Sequence, residues 1–270
     1  MSHFSITFLC SGSEGNCAVV TAGETRIVID AGLTAKEFLS ASGLTKEELK
    51  TVRGVLLTHG HTDHARESKP LFEELHLRIY CTRQTLESHP RLGEQADEIR
   101  IIDPGEQFWI GDIRVKAIAV PHCVGAIGFF IEHQDRSLAF FTDLGSWTPG
   151  IQDAARRANS LCLEADYSPK MLVARRDYSD DVKARIASDT GHLSNNDCME
   201  FLSSISNDGP IPLEKVCLLH LSVRANLEFL ARAYAESGLR KLNDKRKIEG
   251  KPAVEVFVAN ESSCPLTLEV

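Results

Sequence analysis

The chain has 270 residues, of which 43% are hydrophobic and 25% are charged, so it can bury a large core and is neither disordered nor fibrous. Its formal net charge of −8 argues against binding nucleic acid by charge over the whole surface, although bound divalent cations would still admit an anionic substrate. No apolar run reaches the roughly 18 residues of a membrane span, and the start has no basic region leading into an apolar stretch, so we expect a cytoplasmic protein without a membrane partner.

The N-terminal part of the chain predicts strands first and then strands alternating with helices. Short apolar segments rich in β-branched residues, separated by turn residues, predict strands. These segments are residues 4–10, 18–21, 25–29 and 54–58. Apolar positions at helical spacing predict helix over residues 34–50 and 70–76.

The remainder of the chain predicts a second sheet followed by helices. The predicted strands are residues 99–102, 108–110, 113–120, 126–132, 137–141, 159–163 and 215–219. The predicted helices are residues 181–187, 195–203 and 226–237, with Ser194 and either Ala225 or Asn226 at the N-terminal boundaries of the last two. A basic run at 239–251 is interpreted as a solvated loop. Because no linker or repeat interrupts the pattern, we expect one domain, 1–270, with two αβ halves at about 1–130 and 131–270.

One segment concentrates metal-ligand residue types. Residues 58–64 read Thr-His-Gly-His-Thr-Asp-His and directly follow an apolar strand. His59, His61, Asp63 and His64 thus lie within six residues, and histidine and aspartate suit zinc and similar divalent ions. His59 and His61 share a face of extended backbone, whereas Asp63 and His64 lie beyond them. This spacing predicts two neighbouring metal positions, and the alternative is a polar loop with chance histidines.

The His-x-His-x-Asp-His pattern resembles the signature of the metallo-β-lactamase fold superfamily. Asp30, in Ile-Asp-Ala-Gly, looks like the family's first motif. His122, Asp143 and His220 look like its third, fourth and fifth motifs, and each follows an apolar strand. The resemblance spans nearly the whole chain and implies an α/β fold, the four-layer αββα sandwich.

The resemblance also implies a ligand set for two divalent metal ions, zinc or manganese and possibly iron. One ion would be held by His59, His61 and His122, the other by Asp63, His64 and His220, with Asp143 bridging both and Asp30 supporting the metal loop. Asp63 thereby counts among the catalytic candidates, and the nucleophile would be a bridging hydroxide.

The flanking residues are similar to the phosphodiesterase branch that includes tRNase Z. His122 stands in Val-Pro-His-Cys-Val-Gly rather than in the Pro-Gly-His-Thr context of a glyoxalase-type thioesterase. Glu164 and His192 match a Glu–His pair that, in that branch, is thought to protonate the leaving oxygen. The alternatives are a solvated strand-end acid for Glu164 and a loop histidine that caps a helix for His192.

A narrower resemblance is to the YycJ/WalJ-type proteins. Residues 11–16, 191–195 and 220–222 carry it in matching order and spacing. Members of this group are described as 5′-to-3′ exonucleases on single-stranded DNA, which implies DNA phosphodiester hydrolysis here.

Several residues are candidates for substrate binding. The Gly-rich loop at 11–16 offers Ser11, Ser13 and Asn16 to a phosphate, although a tight structural turn explains it equally well. Arg176 and Lys183 lie in a basic segment, 170–185, which also contains Tyr178 and could hold phosphates and stack a base. A charged helix face is the alternative for that segment. Ser194, close to His192, completes the set of candidates.

Three functions remain open from the sequence. The first is a dinuclear metal-dependent exonuclease, 5′-to-3′, on single-stranded DNA. The second is a phosphodiesterase acting on small or cyclic nucleotides, which the charge of −8 permits. The third, of another class, is a regulatory protein that binds metal without turnover. The sequence does not predict an oligomeric state.

Overall fold

A computed structural model of the chain describes residues 3–66, 75, 77–89, 99–206 and 212–270. The strands in these ranges are β1 (Phe4–Cys10), β2 (Cys17–Ala22), β3 (Thr25–Ile29), β4 (Val52–Leu56), β5 (Arg78–Cys81), β6 (Ile99–Ile101), β7 (Gln107–Ile110), β8 (Ile113–Ala119), β9 (Ile127–His133), β10 (Arg136–Phe141), β11 (Ser160–Glu164), β12 (Lys215–Leu219), β13 (Glu255–Val258) and β14 (Leu266–Glu269). The helices are α1 (Ala35–Ser42), α2 (Lys46–Leu49), α3 (Thr62–Ala65), α4 (Arg83–Ser88), α5 (Pro149–Arg157), α6 (Pro169–Ala174), α7 (Asp180–Ile186), α8 (Asn195–Ser206) and α9 (Glu228–Ile248).

The strands form two seven-stranded mixed sheets. The first sheet has the order β14-β1-β2-β3-β4-β5-β6 and the second the order β13-β12-β11-β10-β9-β8-β7. In each sheet an antiparallel part gives way to a parallel part, from β3 to β6 in the first and from β10 to β13 in the second. Since parallel neighbours need a crossover connection, the helices lie between these strands in the chain and cover the sheets.

The core has one layer between the sheets and one on the outer face of each. Between the sheets, Phe8 of β1 stacks on Phe140 of β10 with ring centroids 6.5 Å apart. Phe38 of α1 packs against the first sheet, and Phe201 of α8 and Leu239 of α9 pack against the second. The predicted four-layer αββα sandwich is therefore confirmed. None of the described helices combines the length and apolar composition that crossing a bilayer requires.

The predicted helical stretch at 34–50 is two helices, α1 and α2. Gly43 ends α1 in the left-handed region with φ 61°, and Thr34 and Thr45 each open a helix with a capping box, the second made with Glu48. Each threonine hydroxyl accepts the N–H of a glutamate three residues on, and that carboxylate accepts the threonine N–H. The two capping boxes and Gly43 explain the interruption.

The interpretation of 239–251 as a solvated loop is wrong. Most of this run belongs to α9, which extends the helix predicted at 226–237 as far as Ile248. Leu239 and Leu242 are buried on its inner face, and Arg246 is only 8% exposed. Its guanidinium donates to the carbonyl oxygens of Leu213 and Pro252. Most of the basic side chains of this run therefore belong to a helix that packs against the second sheet.

Other differences concern the halves and the elements that the pattern missed. The first sheet ends at Ile101 and the second begins at Gln107, well before the predicted division at about 130, and β14 returns to the first sheet. Strands β5, β13 and β14 and helices α3, α4, α5 and α6 were not predicted. The helix predicted at 70–76 lies outside the described residues, apart from Leu75.

Candidate metal centre

The candidate site residues lie at the carboxyl ends of strands from both sheets. In the first sheet, Asp30 follows β3 and His59 follows the parallel strand β4. In the second sheet, Asp143 follows β10, Glu164 ends β11 and His220 follows β12, and these three strands are parallel neighbours. Because the carboxyl ends of neighbouring parallel strands meet at one edge of a sheet, each sheet contributes its residues to a common centre.

Three of these residues leave their strands in the left-handed backbone region. Asp30 has φ 59°, Asp143 has φ 51° and His220 has φ 53°, and Gln134 is the one further non-glycine example in the described residues. A side chain makes this conformation uncommon, and it persists where the surroundings hold it. Three occurrences in one cluster therefore mark a site where side-chain position outweighs backbone preference.

Two groups of ligand-type side chains lie next to each other. His59, His61 and His122 form the first group, with His61 Nδ1 3.2 Å from His122 Nε2. Asp63 and His64 belong to the second group, and His64 Nε2 lies 3.1 Å from Asp63 Oδ2. In each group the potential ligand atoms lie within 4.8 Å of one another. The first group is all nitrogen, whereas the second adds a carboxylate.

His220 completes the second group, and Asp143 lies between the two groups. His220 Nε2 is 3.6 Å from Asp63 Oδ2. The carboxylate of Asp143 approaches both groups, since Oδ2 is 3.1 Å from His64 Nε2 and Oδ1 is 3.9 Å from His122 Nε2. The structure thus brings together every side chain that was predicted to ligate metal.

Unpartnered ring nitrogens show that this cluster fits metal ions. His59 Nε2 and His220 Nε2 are buried and have no hydrogen-bond partner among the described residues. A buried polar atom is normally satisfied, and a neutral imidazole nitrogen without a donor is free to ligate a metal. The cluster is therefore able to bind divalent metal.

The pKa values of His59, Asp63 and Asp143 match what metal ligands require. Burial lowers the pKa of His59 well below its usual value, so its ring is neutral. Burial works to raise the pKa of Asp63 and Asp143, but the neighbouring rings of His220 and His64 hold both well below their usual range. Both carboxylates are consequently ionised at neutral pH. Burial disfavours the charged rings of His64 and His220, but the Asp143 carboxylate raises the pKa of both well above the usual value, so a bound metal would displace a proton from each ring.

Asp30 is hydrogen-bonded to one ligand group directly and to the other through Thr58. Its carboxylate is 1% exposed, and Oδ2 lies 2.8 Å from His64 Nδ1 while Oδ1 accepts the backbone N–H of Thr58 at 2.8 Å. The Thr58 hydroxyl lies within 3.0 Å of both Asp30 Oδ1 and His59 Nδ1. One buried carboxylate therefore fixes His64 directly and His59 through Thr58, as partners of ligating histidines commonly do.

Two of the three loop residues predicted to bind substrate contact ligands instead. Ser11 Oγ accepts the backbone N–H of His220 at 3.0 Å, and Asn16 Nδ2 lies 3.0 Å from His64 Nε2 and 3.2 Å from Asp63 Oδ2. Ser11 and Asn16 are buried. The substrate-binding assignment of both is therefore corrected, because the polar atoms of each side chain contact residues of the two ligand groups.

Glu164 and His192 form the predicted pair. Glu164 is fully buried, and its Oε1 lies 2.8 Å from His192 Nδ1 and 3.2 Å from His220 Nδ1. Its Oε2 accepts the backbone N–H groups of Leu144 and Leu193. Burial disfavours the charged imidazole, but the Glu164 carboxylate raises the pKa of His192 to about 9. The alternative of a solvated strand-end acid is excluded for Glu164.

A cavity of about 460 Å³ opens onto the centre. It is lined by members of both ligand groups and by His192. Ser13 also lines it, in keeping with its predicted place near substrate. Among the other lining residues, Asp166 and Thr190 were not singled out by the sequence, and Arg185 belongs to the basic segment 170–185. A volume of this size is typical of small-ligand sites.

Three further substrate-binding candidates do not line this cavity. Arg176 is exposed outside it, and Lys183 Nζ donates to the carbonyl oxygen of Val173. Ser194 is 2% exposed, and its hydroxyl accepts the backbone N–H of Asp197 at the start of α8. The assignment of Ser194 is corrected, because it caps a helix, and Arg176 and Lys183 lie outside this cavity.

Comparisons with known proteins identify the family. The family model described as "Beta-lactamase superfamily domain" matches residues 25–220. The chain is 30% identical to the exodeoxyribonuclease YycJ of Bacillus anthracis over 85% of this chain and 86% of that protein. It is 28% identical to the exodeoxyribonuclease WalJ of Streptococcus pneumoniae over 84% of this chain and 85% of that protein. In structure it is similar to the metallo-β-lactamase fold protein YhfI of Bacillus subtilis, with a TM-score of 0.72, 14% identity and coverage of 99% of this chain and 100% of that one.

Proposed function

The chain belongs to the β-lactamase superfamily domain family, in which it groups with the YycJ/WalJ-type proteins, and on this basis we propose that it is a 5′-to-3′ exonuclease on single-stranded DNA. Family membership and the metal-binding cluster make it a metal-dependent hydrolase. The preference for single strands, the polarity and the use of two ions are part of the proposal.

Two divalent ions, zinc or manganese and possibly iron, are proposed as cofactors. His59, His61 and His122 would hold one ion and Asp63, His64 and His220 the other, with Asp143 shared. When bound, such ions supply an activated water molecule for attack on phosphorus and offset the charge of the phosphate. The ionised carboxylates of Asp63 and Asp143 would offset the positive charge of the ions.

The observation that carries the hydrolytic step is the position of the Glu164–His192 pair. His192 lines the same cavity as the ligand groups, and its Nδ1 is held by Glu164 at 2.8 Å. This bond leaves Nε2 as the ring nitrogen available to substrate. We assign His192 as the group that gives a proton to the departing oxygen, which otherwise leaves as a poor alkoxide. Glu164 holds the ring in the orientation that this transfer needs.

The DNA substrate is inferred from the named relatives, and the net charge of the chain is compatible with it. Both relatives are named as exodeoxyribonucleases and match along most of their length. The net charge of −8 does not oppose this assignment, because the binding energy of a phosphate would come from the ions rather than from the general surface.

A small-molecule phosphodiesterase is the second candidate. The observation that favours it is the scarcity of cations at the cavity, where Arg185 is the one lysine or arginine among the described lining residues. A polymer contacting many phosphates would use more of them.

The test is hydrolysis of end-labelled single-stranded DNA by protein loaded with Mn²⁺ or Zn²⁺. Substrates blocked at the 5′ or the 3′ end are compared, with bis-p-nitrophenyl phosphate as a small diester. Asp63→Ala should lose turnover, whereas Asp153→Ala, on the exposed face of α5, is the matched control and should not.

The outcomes separate the three functions. Stepwise loss of nucleotides from a free 5′ end would support the proposal. Cleavage of the small diester alone would favour the second candidate, and the absence of metal-dependent turnover on every substrate would leave a regulatory metal-binding protein. A salt titration adds an independent criterion, because binding of a polymer weakens steeply with salt and binding of a mononucleotide does not.

A further inference from the structure

An apolar wall lies beside the metal centre and takes no part in holding it. Tyr167, Leu172 and Ala225 form a small buried cluster, against which Tyr178 and Ile186 pack. All five residues line the cavity that contains the ligand groups and His192. Hydrolysis at a metal centre does not itself require apolar and aromatic side chains. This wall is therefore suited to contact an apolar part of the substrate.

The ring of Tyr178 is held in place from outside the cavity. The Arg175 guanidinium lies 5.5 Å from the centroid of the Tyr178 ring and is itself paired with the Asp177 carboxylate, at 2.8 Å from Nε to Oδ1. A cation at this distance interacts favourably with an aromatic ring. Tyr178 is thus a half-buried aromatic side chain fixed at the cavity wall, where a planar ring could stack on it.

Arg185 supplies positive charge at the same wall. It precedes Ile186 at the end of α7, is exposed, and is the one lysine or arginine among the described residues that line the cavity. No carboxylate partner of its guanidinium occurs in the described part of the chain. By contrast, the nearby Arg175 is neutralised by Asp177. An unpaired guanidinium beside an apolar wall matches a ligand with a flat ring and an adjoining phosphate, that is, a nucleotide.

The wall lies on the side of the centre where His192 stands. The backbone N–H of His192 donates to the carbonyl oxygen of Ile186 at 2.8 Å, so His192 is bonded directly to one residue of the wall. If His192 gives its proton to the departing oxygen, the nucleotide that carries this oxygen lies on the same side.

We infer that this wall is the subsite for the base of the terminal nucleotide that departs, with Tyr178 stacking on the base and Arg185 binding an adjoining backbone phosphate. The inference rests on the proposed exonuclease function and deepens it. Stacking on a ring tolerates every base, because each base has a π face. The subsite would therefore select a nucleotide end without selecting a sequence.

The first experiment compares Tyr178→Ala and Tyr178→Phe with the unmodified protein on single-stranded DNA. Loss of the ring should raise KM by about 5- to 150-fold, the range expected for one base stack, whereas phenylalanine keeps the ring and should leave KM unchanged. The decisive substrate has an abasic 5′-terminal nucleotide. On it, Tyr178→Ala and the unmodified protein should have the same KM, because there is no base to stack. An equal effect of Tyr178→Ala on both substrates would overturn the inference.

The second experiment replaces Arg185 and uses Arg176 as a matched control, since both are exposed arginines of the same basic segment and only Arg185 lines the cavity. Arg185→Ala should weaken DNA binding and reduce the slope of log binding constant against log salt by about 0.7, as for one phosphate contact on a single strand. Arg176→Ala should change neither. Equal changes in the two variants would refute the assignment of Arg185.

Metal content, together with turnover of the unmodified protein, distinguishes failure of this inference from failure of the proposed function. All four variants should bind as much metal as the unmodified protein, because none of the three positions belongs to the ligand groups. Full metal content with DNA kinetics unaffected by Tyr178→Ala would reject the base subsite alone. Absence of turnover on every substrate in the unmodified protein would reject the exonuclease proposal itself.

Discussion

Replacing Asp30 by asparagine should weaken metal binding without removing a single ligand. The Asp30 carboxylate accepts hydrogen bonds at both oxygens, from the backbone N–H of Thr58 at 2.8 Å and from His64 Nδ1 at 2.8 Å. An amide has one acceptor and one donor, so in either orientation its NH₂ group meets a group that is a donor in the native protein. The replacement therefore either reverses the hydrogen bond to His64 or breaks the hydrogen bond to Thr58, depending on how the amide turns.

Each orientation of the amide has a calculable consequence. If the NH₂ group faces His64, it donates to Nδ1 and moves the ring proton to Nε2. That is the atom lying 3.1 Å from both Asp63 and Asp143, where a ligand must be unprotonated. Metal affinity should then fall by about 10- to 100-fold, the usual effect of losing a partner of a ligating histidine. If the NH₂ group faces Thr58, a buried backbone N–H loses its acceptor, and the free energy of unfolding falls by about 1–3 kcal/mol.

The assay is a competition titration of Zn²⁺ or Mn²⁺ against a chromophoric chelator, with chemical denaturation of the same samples. Asp30→Asn should show weaker binding of metal, a lower free energy of unfolding, or both. Asp153→Asn makes the same chemical change in an exposed pair with Arg157 and should show neither. Full metal affinity together with unchanged stability in Asp30→Asn would refute the reasoning.

The remaining predictions concern other parts of the centre. His61→Ala removes a ligand of the first group and should lower metal content and abolish DNA hydrolysis; elemental analysis showing full loading would contradict this. His192→Ala should keep both metals and slow turnover by about 10²- to 10⁴-fold, and near-normal kcat in the loaded variant would exclude His192 as proton donor. Gly32→Ala would place a Cβ 2.0 Å from the Asp63 carbonyl oxygen, so it should lower both the melting temperature and metal affinity, whereas Gly150→Ala, with no contact shorter than 3.7 Å, should be tolerated.

The fold was predictable where the sequence carries a strong local pattern. Apolar, β-branched runs predicted most strands, and the superfamily signature predicted how they are layered. The prediction of a loop at 239–251 is wrong because a run of basic residues does not by itself indicate a loop. In the structure Leu239 and Leu242 stand at helical spacing and are buried, so burial of one face decides the conformation of a segment whose other face is charged.

The ligands were predictable for a different reason. His59, His61, Asp63 and His64 are close in the sequence, and the distant candidates each follow a strand. Since neighbouring parallel strands end at one edge, residues far apart in the chain could be placed together without knowing the packing. No such rule locates the residues around them. Arg185 and Arg176 are both arginines of the basic segment 170–185, and nothing in the sequence distinguishes them. The path of the chain after α6 decides which one lines the cavity.

The corrected loop residues show why polar side chains near a metal motif are poor guides to substrate contacts. Ser11, Asn16 and Thr58 all carry groups suited to phosphate, yet each is buried and bonded to a ligand or its support. Buried polar atoms must find partners, and the ligands, with three residues of the centre in a left-handed backbone conformation, need to be held. Thr58, next to His59 in the sequence, and Ser11 and Asn16, from a distant loop, satisfy both needs. On the inference above, selection of substrate would fall to side chains of another segment, residues 172–186, which contains none of the ligand groups.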